Sequence, residues 1–356
     1  MRQSVAEVPS VVGTVEPFRG SHRFLAERQD LFQAMVDRGK IKECHGDLHL
    51  KNICLWKDKI QLFDRLEFNE SFRFVDTMYD IAFTIMDLEA RKKPEFANAF
   101  VNSYLEYTGD WEGLLILPLY LSRQAYVRAK VNSFLLDDPQ VAETDKQEAR
   151  KAASDYYRQA YQYTHSRLGS IILVSGLSGS GKSTVAQYIA RKKGAIQQAR
   201  GTSQNKFGVS ALQIRSDAVR KHLAGISPEE SGTDNIYSQE MTQKTYARLK
   251  ELAIILAQQG YMVILDAKYD SLSLRQSVIT QAQNNNISWK IIHCSAPVSV
   301  LRDRLNQRQN DISDATADLI TNQQAKAEDF SPAEQAHVIE IDTSQANWQE
   351  KLNNVI

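Results

Sequence analysis

The chain is poor in cysteine, carries no surplus charge of either sign and has no long unbroken apolar run. Its three cysteines, Cys44, Cys54 and Cys294, are scattered with no C-x-x-C spacing. That argues against a zinc knuckle and against a disulfide framework, and the three read as free thiols in reducing surroundings. Lys plus Arg and Asp plus Glu both number 43. This balance argues against a general nucleic-acid binder and leaves only a local basic cleft open. The opening MRQSVAEVPSVVGTVEPFRG has no apolar core of a secretory leader. The most apolar stretch, GLLILPLYLSRQAYVRAKVNSFLL, is interrupted by Arg123, Arg128 and Lys130 and suits a buried helix rather than a membrane span. A cytoplasmic enzyme with no membrane partner is the expectation; the oligomeric state is not legible.

What is present is ordinary globular composition, with 42% hydrophobic and 24% charged residues over 356 positions. That length accommodates more than one core. FLAERQDLFQAMV, within Arg23 to Arg38, has helical spacing. ICLW and KIQLFD read as a hairpin around Lys57-Asp58. From Val75 to about Leu136 the pattern is mostly helical, with one break at Thr108-Gly109-Asp110. Residues 137–168 are polar and helix-prone, with Tyr156, Tyr157, Tyr161 and Tyr163 placed to dock on a neighbour. From Ser170 the pattern changes. IILVSG, QIRSD, MVILDA, KIIHCSA and HVIEID are short apolar runs separated by helical patterns, which predicts a doubly wound parallel α/β sheet. The expected units are residues 1–165, mostly helical, and 166–356, α/β.

GLSGSGKS, Gly176 to Ser183, fits G-x-x-x-x-G-K-[ST] between a strand-like run and a helix. Gly176, Ser178, Gly179, Ser180, Gly181, Lys182, Ser183 and Thr184 are the expected nucleotide cradle. Backbone N–H groups turn inward to phosphate oxygens, Lys182 reaches the β- and γ-phosphates, and the Ser183 hydroxyl serves Mg²⁺. ATP and Mg²⁺ are therefore the expected cofactors. In QIRSDAVRK, Asp217 follows a strand end, where a carboxylate can take a proton from an attacking hydroxyl. It is equally placed to cap the helix AVRKHL. Arg220, one turn on, can hold an anionic part of an acceptor. Asp266, at the end of MVILDA, is a metal-side carboxylate or a plain strand-ending residue. Arg302, Arg304 and Arg308 precede a polar loop and read as a cationic lid or a solvated face; Arg308 is the residue chosen for a transferring phosphoryl group.

GLSGSGKST, RSDAVRKHLAG, the helix ending in YMVILDA, and LRDRLNQRQNDISDATADL occur in an order that resembles the small P-loop kinases related to polynucleotide kinase and gluconate kinase. The resemblance implies Asp217 as base, and Asp217 with Arg220 matches an Asp-x-x-Arg pattern found in some members. It does not name the acceptor. AIQQARGTSQNKFGVSA, ahead of Asp217, is longer than the resemblance implies.

HGDLHLKNICLWKDKIQLFD raises a second possibility. His45, Asp47 and Asn52 have the spacing of a kinase catalytic loop, and Asp64 stands where a second metal-binding Asp belongs. With FDRLEFNESFRFVDTMYDIAF, the stretch resembles the aminoglycoside phosphotransferase-like family. The two halves together resemble bacterial two-domain proteins that join such a kinase to an ATP-binding part. The resemblance makes Asp47 the base, Asn52 and Asp64 metal ligands, and Asp76 and Asp80 structural braces. It also implies an N-lobe of five strands, which residues 1–44 are too few to encode. The expectation is a vestigial kinase C-lobe, N-terminally truncated, beside a working P-loop kinase. The P-loop holds its phosphates beside Asp217 and Asp266, and nothing in the sequence calls for the front half to reach in. Two alternatives stand: an ATP-binding regulatory module without phosphotransfer, and aminoglycoside-type phosphotransfer through Asp47.

Overall fold

The structure is a computed structural model that describes residues 29–165, 168–196, 209–232, 234–309 and 311–354. The start of the first expected helix, the expectation about the N-lobe over residues 1–28 and most of the long stretch before Asp217 lie outside the described residues.

The front half begins with α1 (Gln29–Asp37) and β1 (Ile41–Glu43), which pairs antiparallel with β4 (Phe74–Asp76). Between them, β2 (Ile53–Trp56) and β3 (Lys59–Leu62) form the expected hairpin. Its turn residues Lys57 and Asp58 both have positive φ, 49° and 58°, the twist that lets a two-residue loop join antiparallel strands. Four helices follow: α2 (Thr77–Ala90), α3 (Pro94–Thr108), α4 (Leu117–Asp137) and α5 (Glu143–Gln162). The expected break at residues 108–110 is present, with Gly109 at φ 66° closing α3. A second, unexpected break separates α2 from α3 at residues 91–93. Lys92 sits at φ 60°, and Pro94 disfavours helical backbone at the residue before it. Val75 is correspondingly in a strand, not a helix. The apolar stretch forms most of α4, with Leu117, Leu121, Ala125 and Ala129 buried, and no helix among the described residues is long and apolar enough to cross a membrane. At the end of α5, Tyr163 is buried and donates to Glu89 Oε2 at 2.6 Å.

The second half is a five-stranded parallel sheet: β5 (Ser170–Ser175), β6 (Ala211–Arg215), β7 (Met262–Asp266), β8 (Ser288–Ser295) and β9 (Val338–Asp342), in the order β6-β7-β5-β8-β9. Its helices are α6 (Lys182–Ile196), α7 (Ser216–Ala224), α8 (Gln239–Gln258), α9 (Leu272–Asn284), α10 (Val298–Gln307), α11 (Leu319–Lys326), α12 (Pro332–Gln335) and α13 (Trp348–Asn353). Each short apolar run of the sequence contributes one strand. Packing on both faces buries all but the first residue of β5 and of β7, which is why those runs are apolar rather than alternating.

The halves share one apolar cluster, in which Met86, Leu105 and Leu114 of the front half join Leu212, Leu249 and Leu256 of the second. Helix α3 packs on α6 and runs along β6, the edge strand. Asn98 Nδ2 donates to Ala211 O at 2.7 Å, and Asn102 accepts from Gln213 N at 2.7 Å while its own amide donates to Ala211 O at 3.2 Å. Two side chains thus satisfy an edge that would otherwise invite another strand. Arg248 pairs with Glu112, and the Tyr261 hydroxyl donates to Leu114 O at 2.9 Å. Asn102→Ala strips the partner from Gln213 N, and a loss of about 1–3 kcal/mol in urea unfolding is expected. An unchanged midpoint would mean that water replaces the amide at no cost.

Candidate functional site

The P-loop runs from the end of β5 into α6. Gly176, Gly179 and Gly181 have φ of 137°, 79° and 82°. A Cβ at Gly176 would meet Cys294 O at 2.2 Å, and one at Gly179 would meet Leu301 O at 2.7 Å. The loop is therefore closed over by β8 and α10, and only glycine fits at these turns. Neighbours hold it from three sides. Gln323 of α11 accepts from Ser178 N and donates to Ser178 Oγ, both at 3.0 Å. Thr343, just after β9, donates to Ser180 O at 2.9 Å. Arg304 donates to Gly179 O at 3.3 Å and to Thr343 Oγ1 at 2.8 Å. The Ser180 hydroxyl is buried without a partner in the structure. A cradle that a Cβ would fill, with its backbone fixed by outside groups, fits a polyphosphate.

Lys182 folds back on the loop and donates to Leu177 O at 2.7 Å. Burial pushes its ammonium pKa below the ordinary value, and Asp266 opposes that shift. Asp266 is the last residue of β7 and accepts from Gln213 Nε2 at 3.0 Å. Asp217 lies in the first turn of α7, directly beyond β6, the neighbour of β7. Burial raises its carboxyl pKa, against a hydrogen bond from Ser313 and the charge of Arg215. The loop after β5 and the ends of β6 and β7 thus bring Lys182, Asp217 and Asp266 into one electrostatic cluster.

Other assignments land elsewhere. Arg220 is buried, donating to Ile236 O at 2.8 Å and Thr242 Oγ1 at 3.1 Å, with its guanidinium over the Tyr237 ring. Its position in the structure is that of a brace between α7 and α8. Arg308 ends α10 and donates to Ser313 O at 3.4 Å, next to the serine that bonds Asp217. Arg302 is exposed, and Arg304 is committed to the P-loop backbone.

Sequence reading missed the residues that join these groups. Arg215, at the end of β6, faces Glu106 at 3.6 Å and Asp266 at 3.7 Å and bonds Asp311. Burial alone would lower its pKa, but the three carboxylates prevail and raise it. Glu106 comes from α3 of the front half, so the expectation that this half stays outside the P-loop site needs correcting. Burial raises the Glu106 pKa, Arg215 opposes this, and Asp266, Asp311 and Asp217 add to it.

The catalytic-loop-like stretch is ordered on its own terms. Asp80 accepts from His45 N at 3.0 Å and Gly46 N at 2.8 Å, and Asp76 caps α2 through Met78 N at 2.9 Å. Both carboxylates hold backbone N–H groups of the front half. Asn52 Nδ2 donates to Asp47 O at 3.0 Å and lies 3.4 Å from Asp47 Oδ2. Asp64 is exposed, in left-handed backbone at φ 59°. Among the described residues no group of three or more His, Cys, Asp or Glu could hold a metal ion by itself; Ser183 and Asp266 would need phosphate oxygens or water to complete a shell.

Residues 171–330 match the family model described as AAA domain. An uncharacterized protein of Mycobacterium tuberculosis is 29% identical over 311 residues, covering 86% of this chain and 58% of the relative. A probable adenylyl-sulfate kinase of Bacillus subtilis is 27% identical over 146 residues, 41% of this chain and 64% of the relative. Among solved structures, the Mycobacterium tuberculosis APS kinase CysC in complex with AMPPNP and APS is 18% identical, covering 53% of this chain and 96% of that one, at a TM-score of 0.37. The chain spans 58% of the length of the mycobacterial relatives it matches, and its residues 171–330 are a P-loop domain similar to the AAA domain family.

Proposed function

We propose that this chain is an ATP-dependent phosphotransferase of the P-loop kinase type, moving the γ-phosphoryl group of ATP to an acceptor hydroxyl. The observation that carries the reading is the placement of Asp217 and Asp266 at the ends of adjacent strands beside Lys182. A nucleotide switch has no need of a carboxylate beyond the strand next to the metal side; a transferase needs one to take the hydroxyl proton. Lys182 and the P-loop backbone hold the phosphates, and Arg308, which donates to the carbonyl of Ser313, would bring positive charge to the transferring group. Ser183 and Asp266 would hold Mg²⁺ through hard oxygen donors. When bound, that ion neutralises charge on the phosphate oxygens. The likeness to a probable adenylyl-sulfate kinase over 146 residues supports the reaction class, not the acceptor.

The front half is read as a kinase-like C-lobe that serves as scaffold. The brace from Asp80 to the His45-Gly46 backbone and the contact between Asn52 and Asp47 support that origin.

The test is Mg·ATP turnover by the purified chain with a deproteinised metabolite extract. Production of a phosphorylated compound is expected, and Asp47→Asn is expected to leave it unchanged. Release of inorganic phosphate alone would favour a regulatory ATPase. Loss of transfer in Asp47→Asn would move the chemistry to the front loop. The pH profile adds a check. Asp217 must be ionised to accept a proton, and its pKa is raised from 3.8. The acid limb of kcat is therefore expected above the ordinary aspartate range, with turnover rising with pH through it.

A further inference from the structure

A cavity of about 280 Å³ lies between α3 and α6, lined by Asn102 and Glu106 from the front half and by Ser183, Thr184, Arg215 and Asp311 from the second. It opens beside the magnesium-side serine of the P-loop. Its size is just below the roughly 300–1,000 Å³ of drug-sized sites, which suits a small acceptor. Its charge is specific. Arg215 is already shared among Glu106, Asp266 and Asp311, and Arg220, which bonds Ile236 O and Thr242 Oγ1 through Nη1, is not among the lining residues. Asp217 adds a further carboxylate to the same cluster. The lining also includes Arg191, exposed on α6. It sits eight residues beyond Ser183, about 12 Å along the helix axis, so it marks the outer end of the cavity and leaves the inner end acidic.

We propose that the front half completes the acceptor site, with Glu106 as a specificity-determining residue that selects a small hydroxyl compound uncharged or cationic near its reacting hydroxyl. This rests on the kinase reading above. An anionic acceptor would bring its charge against Glu106 and Asp311 with Arg215 already neutralised, and like charges in a partly buried site repel strongly. An amine or hydroxyl on the acceptor finds a carboxylate at Glu106 and an amide at Asn102. In the transfer, the acceptor oxygen forms the new P–O bond, its proton passes to Asp217, and ADP leaves with the electrons of the broken bond.

The experiment uses the full chain, [γ-³²P]ATP with Mg²⁺, and a deproteinised metabolite extract split by anion exchange at neutral pH. Label is expected in a product made from the unretained fraction, which holds neutral and cationic compounds. Glu106→Gln is expected to raise the half-saturating amount of that fraction at least about tenfold, equivalent to about 1.4 kcal/mol, with a much smaller change in the limiting rate. Thermal unfolding confirms that this near-isosteric variant folds. Transfer only to compounds from the retained, anionic fraction would overturn the proposal and leave the kinase reading intact. So would a Glu106→Gln variant that changes the limiting rate but not half-saturation, because a purely structural role behaves that way. Label in no product from either fraction would overturn the kinase reading and this proposal with it.

Discussion

Lys182→Ala is expected to lower Mg·ATP turnover at least about a thousandfold, the upper range for removing one preorganised donor to developing charge. The side chain sits inside the loop, with its ammonium on Leu177 O at 2.7 Å. Burial works against its charge and Asp266 works for it. Such a cation gains most when a polyphosphate arrives, because the anion supplies the compensation that the protein alone supplies only in part. The cost of removal therefore falls on the nucleotide-bound state and the transition state, not on folding, and thermal unfolding of the free variant is expected to change little. Lys182→Arg should not rescue the rate, since a planar guanidinium does not replace a compact ammonium in a closed loop. Turnover by Lys182→Ala within tenfold of the parent would show that the P-loop is not where the chemistry occurs.

The largest expected effect on stability is at Arg275, on α9. Arg275 and Glu334 form an ion pair at 2.8 Å with side-chain exposures of 1% and 0%. The guanidinium also donates to Asp329 O at 2.7 Å and Tyr269 O at 3.2 Å and stacks 4.7 Å from the Phe330 ring. Glu334 accepts in turn from Ser331 N at 2.8 Å, closing a capping box on α12. Arg275→Ala leaves a buried carboxylate and three carbonyls, of Tyr269, Glu328 and Asp329, without their cation, and a loss of about 3–5 kcal/mol is expected in chemical unfolding. The double change Arg275→Met with Glu334→Leu should recover much of it, because the pair then vanishes together with its desolvation cost. A loss below about 1 kcal/mol for the single variant would mean that water enters and solvates Glu334. The pH dependence has a definite sign. Burial would raise the Glu334 pKa, but the bonds from Arg275 and Ser331 win and lower it from 4.5. Its contribution is present above 4.5 and is lost as pH falls through the depressed value.

The P-loop was legible in the sequence because its chemistry is local. Three glycines, a lysine and a serine at fixed spacing meet their ligand through adjacent backbone, so position along the chain is nearly position in space. Asp217 and Asp266 were legible for a related reason: both follow apolar runs, and parallel sheets put strand ends on one side. The contribution of α3 was not. Asn98, Asn102 and Glu106 are spaced by four residues and read as one polar face of a helix. Nothing in that spacing says that the face meets the edge of another sheet over a hundred residues away. The break at residues 91–93 was missed because Lys92 adopts left-handed backbone without a glycine to announce it. Arg220 matched a pattern by spacing, yet its Nη1 bonds Ile236 O and Thr242 Oγ1, contacts that spacing cannot reveal.

Closure of the sheet edge by side chains has a consequence for how such a chain can diverge. A strand added to an edge asks only for backbone, so its sequence is free to drift. Asn98 and Asn102 close β6 with particular amides at particular heights, and Glu106 and Glu112 answer Arg215 and Arg248 by charge. Change on one side of this seam is tolerated only with change on the other. Halves exchanged between distant relatives should accordingly join poorly unless these four positions travel with their partners.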